Sequence, residues 1–173
     1  DGGTANIVIN DKRTLRTKAA VGFKVLGTYV TFDNNYEVEI ENRLTKADKA
    51  FWANWSLLGC VSVPLPKRLS VFKATVNASL LWCAGTWNLT RKQNEKLRVS
   101  QMRHIRRMLR LKRWAGEGMG DFLHRANGIL KEKLDDMGID FETWDIQATQ
   151  LRFDWGGHVA RLRINDPNRL TYR

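Results

Sequence analysis

Apolar positions in this chain change period as the sequence advances. Ile7-Val-Ile9 is a short β-prone run followed by turn chemistry at Asn10-Asp11, and β-branched and aromatic residues crowd around Gly27 in Phe23-Lys-Val-Leu-Gly-Thr-Tyr-Val30. This pattern predicts a small antiparallel hairpin, or a flap of two to three strands, over 7–31. Gly27 would mark a bulge or a close backbone approach, and residues 1–5 a frayed start. From residue 35 the spacing becomes helical. Ile40, Leu44, Ala47, Phe51, Trp55 and Leu58 predict one amphipathic helix over about 35–58, with Asn34 and Glu37 at capping-box spacing and Gly59 at its end. After Val63-Pro-Leu-Pro66, the recurrence of Leu69, Phe72, Val76, Leu80 and Cys83 predicts a second helix to about Trp82, closed by Gly85. Leu81 and Trp82 widen its apolar side, as expected of the central helix of a bundle.

Thr90 with Gln93 three positions on is a capping-box signature for a third helix running to Arg113, with Val99, Met102, Ile105 and Leu109 on its buried side. Gly116, Gly118 and Gly120 read as a hinge. Asp121 then caps a helix carrying Phe122, Leu123, Ala126, Ile129 and Leu130, interrupted at Gly128. Beyond the turn at Gly138-Ile-Asp140, a last helix places Trp144, Ala148, Leu151, Trp155, Val159 and Leu162 on one side, with close packing or a kink at Gly156-Gly157 and a stop at Pro167. The fold class expected is mainly α, a helical bundle with a small N-terminal β-hairpin. Its expected units are 1–33, a three-helix bundle over 34–113, and a hinge with a helical linker over 114–173.

Charge sharpens this picture. The 173 residues carry a formal net charge of +11, and residues 90–113 hold ten Lys or Arg against the single acid Glu95. On a helical wheel Lys92, Lys96, Arg103, Arg107 and Arg110 fall along one stripe, with Arg106 beside it. A helix so basic repels itself when free and suits a polyanion, of which the nucleic-acid backbone is the commonest. The following block, 114–145, is acidic, which suggests a surface with two sides.

Catalytic chemistry is not legible. His104, His124 and His158 are scattered without a second metal-ligand residue at metal spacing, and read as packed or surface imidazoles. Asp135-Asp136 reads as a solvated helix face. Ser70, Ser79 and Ser100 lack a nucleophile-elbow context. The glycines at 116–120 lack the leading strand and the Lys-Ser/Thr ending of a phosphate loop. Cys60 and Cys83 read as core thiols in a reducing, intracellular compartment. Three glycosylation-type triplets, at Asn54, Asn77 and Asn88, are discounted because the first two fall in expected helices and no signal peptide precedes them. No apolar run reaches membrane-spanning length. The chain begins at Asp1 and reads as a piece of something longer. No catalytic or metal-ligating residue is assigned.

Several segments, in order, resemble non-LTR (LINE-type) retrotransposon reverse transcriptases. Phe23-Lys-Val-Leu-Gly-Thr28 is similar to the family's F-K-Y-L-G-[ST] strand. Glu39-Ile-Glu-Asn-Arg43 with Lys46-Ala47 follows. Then come Phe72-Lys73, Leu80-Leu-Trp-Cys-Ala-Gly-Thr-Trp87 (similar to L-L-Y-G-[SA]-E-T-W) and Met102-Arg-His-Ile-Arg-Arg-Met-Leu109 (similar to M-R-x-L-R-R-I-L). Last is Leu151-Arg-Phe-Asp-Trp-Gly-Gly-His-Val-Ala-Arg161, which resembles L-R-W-x-G-H-V-x-R. The likeness spans about 23–163. It departs at Trp82-Cys83, where Tyr-Gly is usual, at Thr86, where an acid is usual, and in the Gly116–Gly120 stretch. The resemblance implies a thumb and the linker beyond it. Phe23, Lys24, Leu26 and Gly27 would form the primer-grip strand, and Lys92, Lys96, Arg103, Arg106, Arg107 and Arg110 would meet the phosphates of an RNA–DNA template–primer. His158 and Arg161 would orient a nucleic-acid-facing surface. The metal-holding palm carboxylates of the family, which bind divalent metal such as Mg, would precede Asp1; the chain is therefore expected to be inactive alone and to partner the missing palm and fingers. Two other readings remain open at this point: a stand-alone helical DNA- or RNA-binding module, and a protein-interaction bundle.

Overall fold

The computed structural model describes residues 4–9, 13–18, 23–31 and 35–162. The turn at Asn10-Asp11, the cap at Asn34 and the stop at Pro167 lie outside the described residues. The chain is mainly α, as the sequence indicates, with its strands at the N-terminal end. Those strands form two hairpins rather than one flap. β1 (Thr4–Ile9) pairs antiparallel with β2 (Arg13–Lys18), and β3 (Phe23–Val25) with β4 (Thr28–Val30). Val25 faces Thr28 in register, so Leu26-Gly27 is a two-residue turn, and its φ values of 48° and 85° are both positive. Gly27 therefore serves the tight reversal demanded by strand twist, not a bulge.

The first helix of the bundle breaks where one continuous helix was expected. α1 spans Glu37–Ala53 and α2 Trp55–Leu58. At the break the Asn54 side-chain amide joins its own backbone N–H on the Ala50 carbonyl, at 2.8 Å, and that N–H is shared with the Phe51 carbonyl, as in a tightened last turn. At the start of α1, the Glu37 N–H donates to Asn35 Oδ1 at 3.0 Å.

α3 (Leu65–Phe72) passes into a π turn over Lys73–Asn77 and a last short turn, α4 (Ala78–Leu80). The wider π turn lets the adjacent Val76 and Asn77 both face inward. The run ends at Leu81, short of the expected Trp82. Cys83 takes a left-handed φ of 63° and opens a 3-10 turn, Ala84–Thr86, that contains Gly85. Trp82 and Cys83 consequently face solvent, contrary to the expectation that both belong to the core; Cys60 is half-buried.

α5 covers Arg91–Met108 and carries the expected capping box: Gln93 N–H donates to Thr90 Oγ1 at 3.3 Å and Thr90 N–H to Gln93 Oε1 at 2.9 Å. Its buried side is Leu97, Gln101, His104, Ile105 and Met108. Val99 is exposed, while Met102 and Leu109 pack at the core's margin. The inward face is thus rotated from the expected one because it includes Gln101 and His104, polar residues that a hydrophobicity pattern assigns to solvent. α6 (Met119–Asp136) starts from Gly118 with Asp121 in its first turn, and runs unbroken through Gly128. α7 (Trp144–Arg161) likewise passes through Gly156-Gly157 unbroken, but only Trp144, Ala148 and Val159 are buried; Leu151 and Trp155 are exposed.

One apolar cluster runs from Ile40, Phe51 and Leu58 through Phe72, Val76 and Trp87 to Ile105, Leu130, Leu134 and Trp144. Trp144 is its anchor. It stacks on Phe72 with ring centroids 6.0 Å apart, donates Nε1–H to Asn77 Oδ1 at 2.7 Å, and gives its backbone N–H to Gln101 Oε1 at 2.6 Å. Gln101 therefore caps α7 from a different helix, which explains why a glutamine lies in the core.

Candidate nucleic-acid interface

α1 and α5 lie side by side and point the same way. Lys96 near the start of α5 meets Glu37 near the start of α1, and Arg110 just past α5 meets Trp55 just past α1. Three members of the basic stripe, Lys96, Arg107 and Arg110, have counterparts on α1 or at the start of α2, and the counterparts change along the seam from acids to aromatic rings.

At the N-terminal half the charge is spent within the protein. Lys96 Nζ is hydrogen-bonded to Glu37 Oε1 at 2.6 Å and to Glu41. Hydrogen bonds to Glu37 and then Glu41 push the Lys96 ammonium above its ordinary pKa, and Lys96 in turn holds the Glu37 carboxyl below its own. Lys96 is thus an ion-pair member in this structure. Lys96→Ala should lower stability by no more than ~1 kcal/mol, the scale of exposed pairs. It should leave the salt dependence of nucleic-acid binding unchanged; a loss of nearly one unit of slope would show that Lys96 exchanges its acids for phosphate.

The middle of the seam is polar. His104 is buried against Phe51 and Phe72 and donates Nε2–H to Asp48 Oδ1 at 2.7 Å. Burial pushes its pKa below the ordinary imidazole value, with Asp48 opposing. This is the packed imidazole expected from the sequence. His124 and His158 are exposed, and His158 lies beside Trp155.

The C-terminal half is where cations remain unopposed. Arg103 is exposed and forms no ion pair among the described residues, although it lines one groove with Glu41 and Asp48 of α1. Arg107 is exposed and sits over the Trp52 ring, 5.4 Å from its centroid, a contact that orients the guanidinium without neutralising it. Arg106 is partly buried and donates to Asn127 Oδ1 at 3.1 Å. Burial and the neighbouring Arg103 lower its pKa, but a guanidinium stays charged. The cations also lie at the negative end of the α5 dipole, which favours them there.

Arg110 has another task. α5 closes with Leu111 N–H on Arg106 O and Arg110 N–H on Arg107 O, a Schellman closure with Arg110 at the left-handed position, φ 57°. That position usually holds glycine. With the backbone reversed there, the Arg110 guanidinium donates to Gly59 O at 3.1 and 2.9 Å and covers the Trp55 ring at 4.9 Å. Gly59 is required at that contact, since a Cβ would lie 2.7 Å from the Trp55 ring. The helix therefore stops at Met108, not Arg113, and Arg110 is held as a brace. The buried Arg68 completes the closure by donating Nη1–H to Met108 O at 2.7 Å.

Lys92 is exposed at the opposite end of α5, near Glu37. Of the proposed primer-grip residues, Phe23 and Lys24 lie on β3 and Leu26-Gly27 at the hairpin tip, where Leu26 is 89% exposed. This tip belongs to a different surface from the Arg103–Arg107 cluster. It is tied to α1 by Arg43 and Lys46, which donate to Gly27 O at 2.9 and 3.0 Å.

Sequence reasoning missed the exposed aromatic residues beside the basic stripe and after it, Trp52 and Trp114. The acids Glu37 and Glu41, one helical turn apart on α1, were a legible signal for partners on a neighbouring helix. No group of three His, Cys, Asp or Glu placed to hold a metal occurs among the described residues. No described helix is long and apolar enough to cross a membrane. Comparison with family models, curated proteins and solved structures yields no match to this chain.

Proposed function

We propose that this chain is the thumb and connection region of a non-LTR retrotransposon reverse transcriptase, acting inside the cell as a clamp on an RNA–DNA template–primer and carrying no bond-making chemistry itself. The palm and fingers of the same polypeptide would supply the carboxylates and the divalent metal. The observation that carries this reading is that the cations toward the end of α5 lack ion-pair partners among the described residues: Arg103 and Arg107 face solvent, and the exposed Lys112 and Arg113 follow in sequence, with Arg113 near a Glu117 that Arg125 already bonds. Cations on and just beyond a helix, without a groove-reading arrangement of Asn or Gln among them, suit backbone contact that is indifferent to sequence and therefore compatible with translocation. The ordered likeness of these segments to the family supports the same reading.

The test is the affinity of the 173-residue chain for a blunt RNA–DNA hybrid across a range of salt. About four phosphate contacts should give a slope of log K against log salt near −3 to −4. Scrambling the hybrid's sequence should change affinity by less than the ~1–3 kcal/mol that a recognition helix loses per wrong base pair. A flat salt response would remove the clamp reading; strong sequence preference would favour a stand-alone recognition module.

A further inference from the structure

We propose that Trp114 is a stacking platform for an unpaired base, so that the ligand of the basic face is a nucleic acid with a single-stranded segment adjoining its duplex. This deepens the nucleic-acid reading above and rests on it. Trp114 directly follows Lys112-Arg113 and is 64% exposed. Free solvent exposure of an indole is unfavourable, yet the surrounding residues hold it outward. The Arg125 guanidinium lies 3.7 Å from the ring centroid and covers one face. Arg125 is itself fixed: Nε–H donates to Glu117 Oε1 at 2.7 Å, and Nη2–H to Glu117 Oε2 at 2.8 Å and to Lys112 O at 3.0 Å. Glu117 Oε2 also accepts the Trp114 backbone N–H at 3.0 Å. Arg125 holds the Glu117 carboxyl down at about 2, so the clasp persists throughout the neutral range. The stretch from Trp114 to Gly118 is thus tied to α6 through Glu117 and Arg125, with an exposed indole at its start.

One ring face is backed by a cation, and most of the remaining side-chain surface is accessible. Inside a duplex every base face is covered by its stacked neighbours, and a terminal pair is held flat against the pair below it, so it is an unpaired base that is free to turn a π-face to Trp114. An apolar protein partner suits the place less well. It would have to desolvate Lys112 and Arg113 without supplying charge, whereas a strand that brings a base to the indole also brings phosphates to those cations.

The experiment compares two probes at fixed salt: a short blunt RNA–DNA hybrid and the same hybrid with an unpaired template extension. The wild-type chain should prefer the extended probe by about tenfold, the scale of one base-on-aromatic stack. Trp114→Ala should abolish that preference while keeping the helical circular dichroism, the blunt-hybrid affinity and its salt slope; Trp114→Phe should retain most of the preference. Equal affinities of the wild type for the two probes, or equal losses on both in Trp114→Ala, would overturn the platform while leaving the clamp in place. Absence of salt-dependent binding to either probe would instead overturn the clamp, and the platform with it.

Discussion

Arg43→Ala should lower the unfolding free energy by about 3–5 kcal/mol, read as a shift of the urea midpoint at unchanged slope. Arg43 and Glu39 are an ion pair one helical turn apart on α1, with side chains only 3% and 1% exposed. Nothing about the pair is left to water. Besides its bond from Arg43 Nε, Glu39 accepts the Tyr29 N–H at 2.7 Å and the Asn42 amide at 3.2 Å. Arg43 Nη2 reaches on to Gly27 O at 2.9 Å and Thr28 Oγ1 at 2.8 Å. Removing the guanidinium strands a buried carboxylate and releases the β3–β4 turn from α1 at once. Replacing both residues by Met should cost less than Arg43→Ala alone, because no uncompensated charge remains, although Tyr29 then loses its acceptor. A loss below ~1 kcal/mol in Arg43→Ala would mean that the hairpin relaxes and admits water, and that the pair does not hold it.

That pair also marks how much of the fold the sequence discloses. The helices of the bundle are legible because Ile40, Ala47, Phe51, Leu69, Phe72, Val76 and Leu80 keep a helical period and are indeed buried. The Thr90 capping box is legible because it is a local exchange between two residues three apart. What escapes is non-local and polar. Gln101 and His104 look like surface residues until Trp144 and Asp48 arrive from elsewhere in the chain. Arg110 looks like one more stripe member, yet its position is decided by Gly59, 51 residues away. α7 shows the converse: a clean apolar repeat promised burial of Leu151 and Trp155, but periodicity identifies a face and not what covers it. At the candidate site, the row of cations was readable and its division was not, because the acids and rings that divide it lie on α1.

Replacing Arg103 and Arg107 together by Ala should weaken binding to an RNA–DNA hybrid by about 10- to 100-fold at moderate salt and reduce the magnitude of the log K against log salt slope by about 1–2 units. Neither residue forms an ion pair among the described residues, and Asp48, the α1 carboxylate in the groove beside Arg103, is bonded to His104, so their charge is available to a ligand; Lys96, one stripe position earlier, is held by Glu37 and Glu41. Lys96→Ala is therefore the internal comparison. It removes one positive charge from the same helix, and if net charge alone drove binding it should flatten the slope about as much per residue as the double variant does. The structure expects it to do almost nothing to the slope. Folding should survive in the double variant, since neither guanidinium is buried and neither forms an ion pair among the described residues. Arg107→Ala does uncover one face of Trp52, which should appear as a change in tryptophan emission and not in helical content. An unchanged slope in the double variant, with helicity intact, would place the nucleic-acid contact away from this face and leave the cluster without its assigned role.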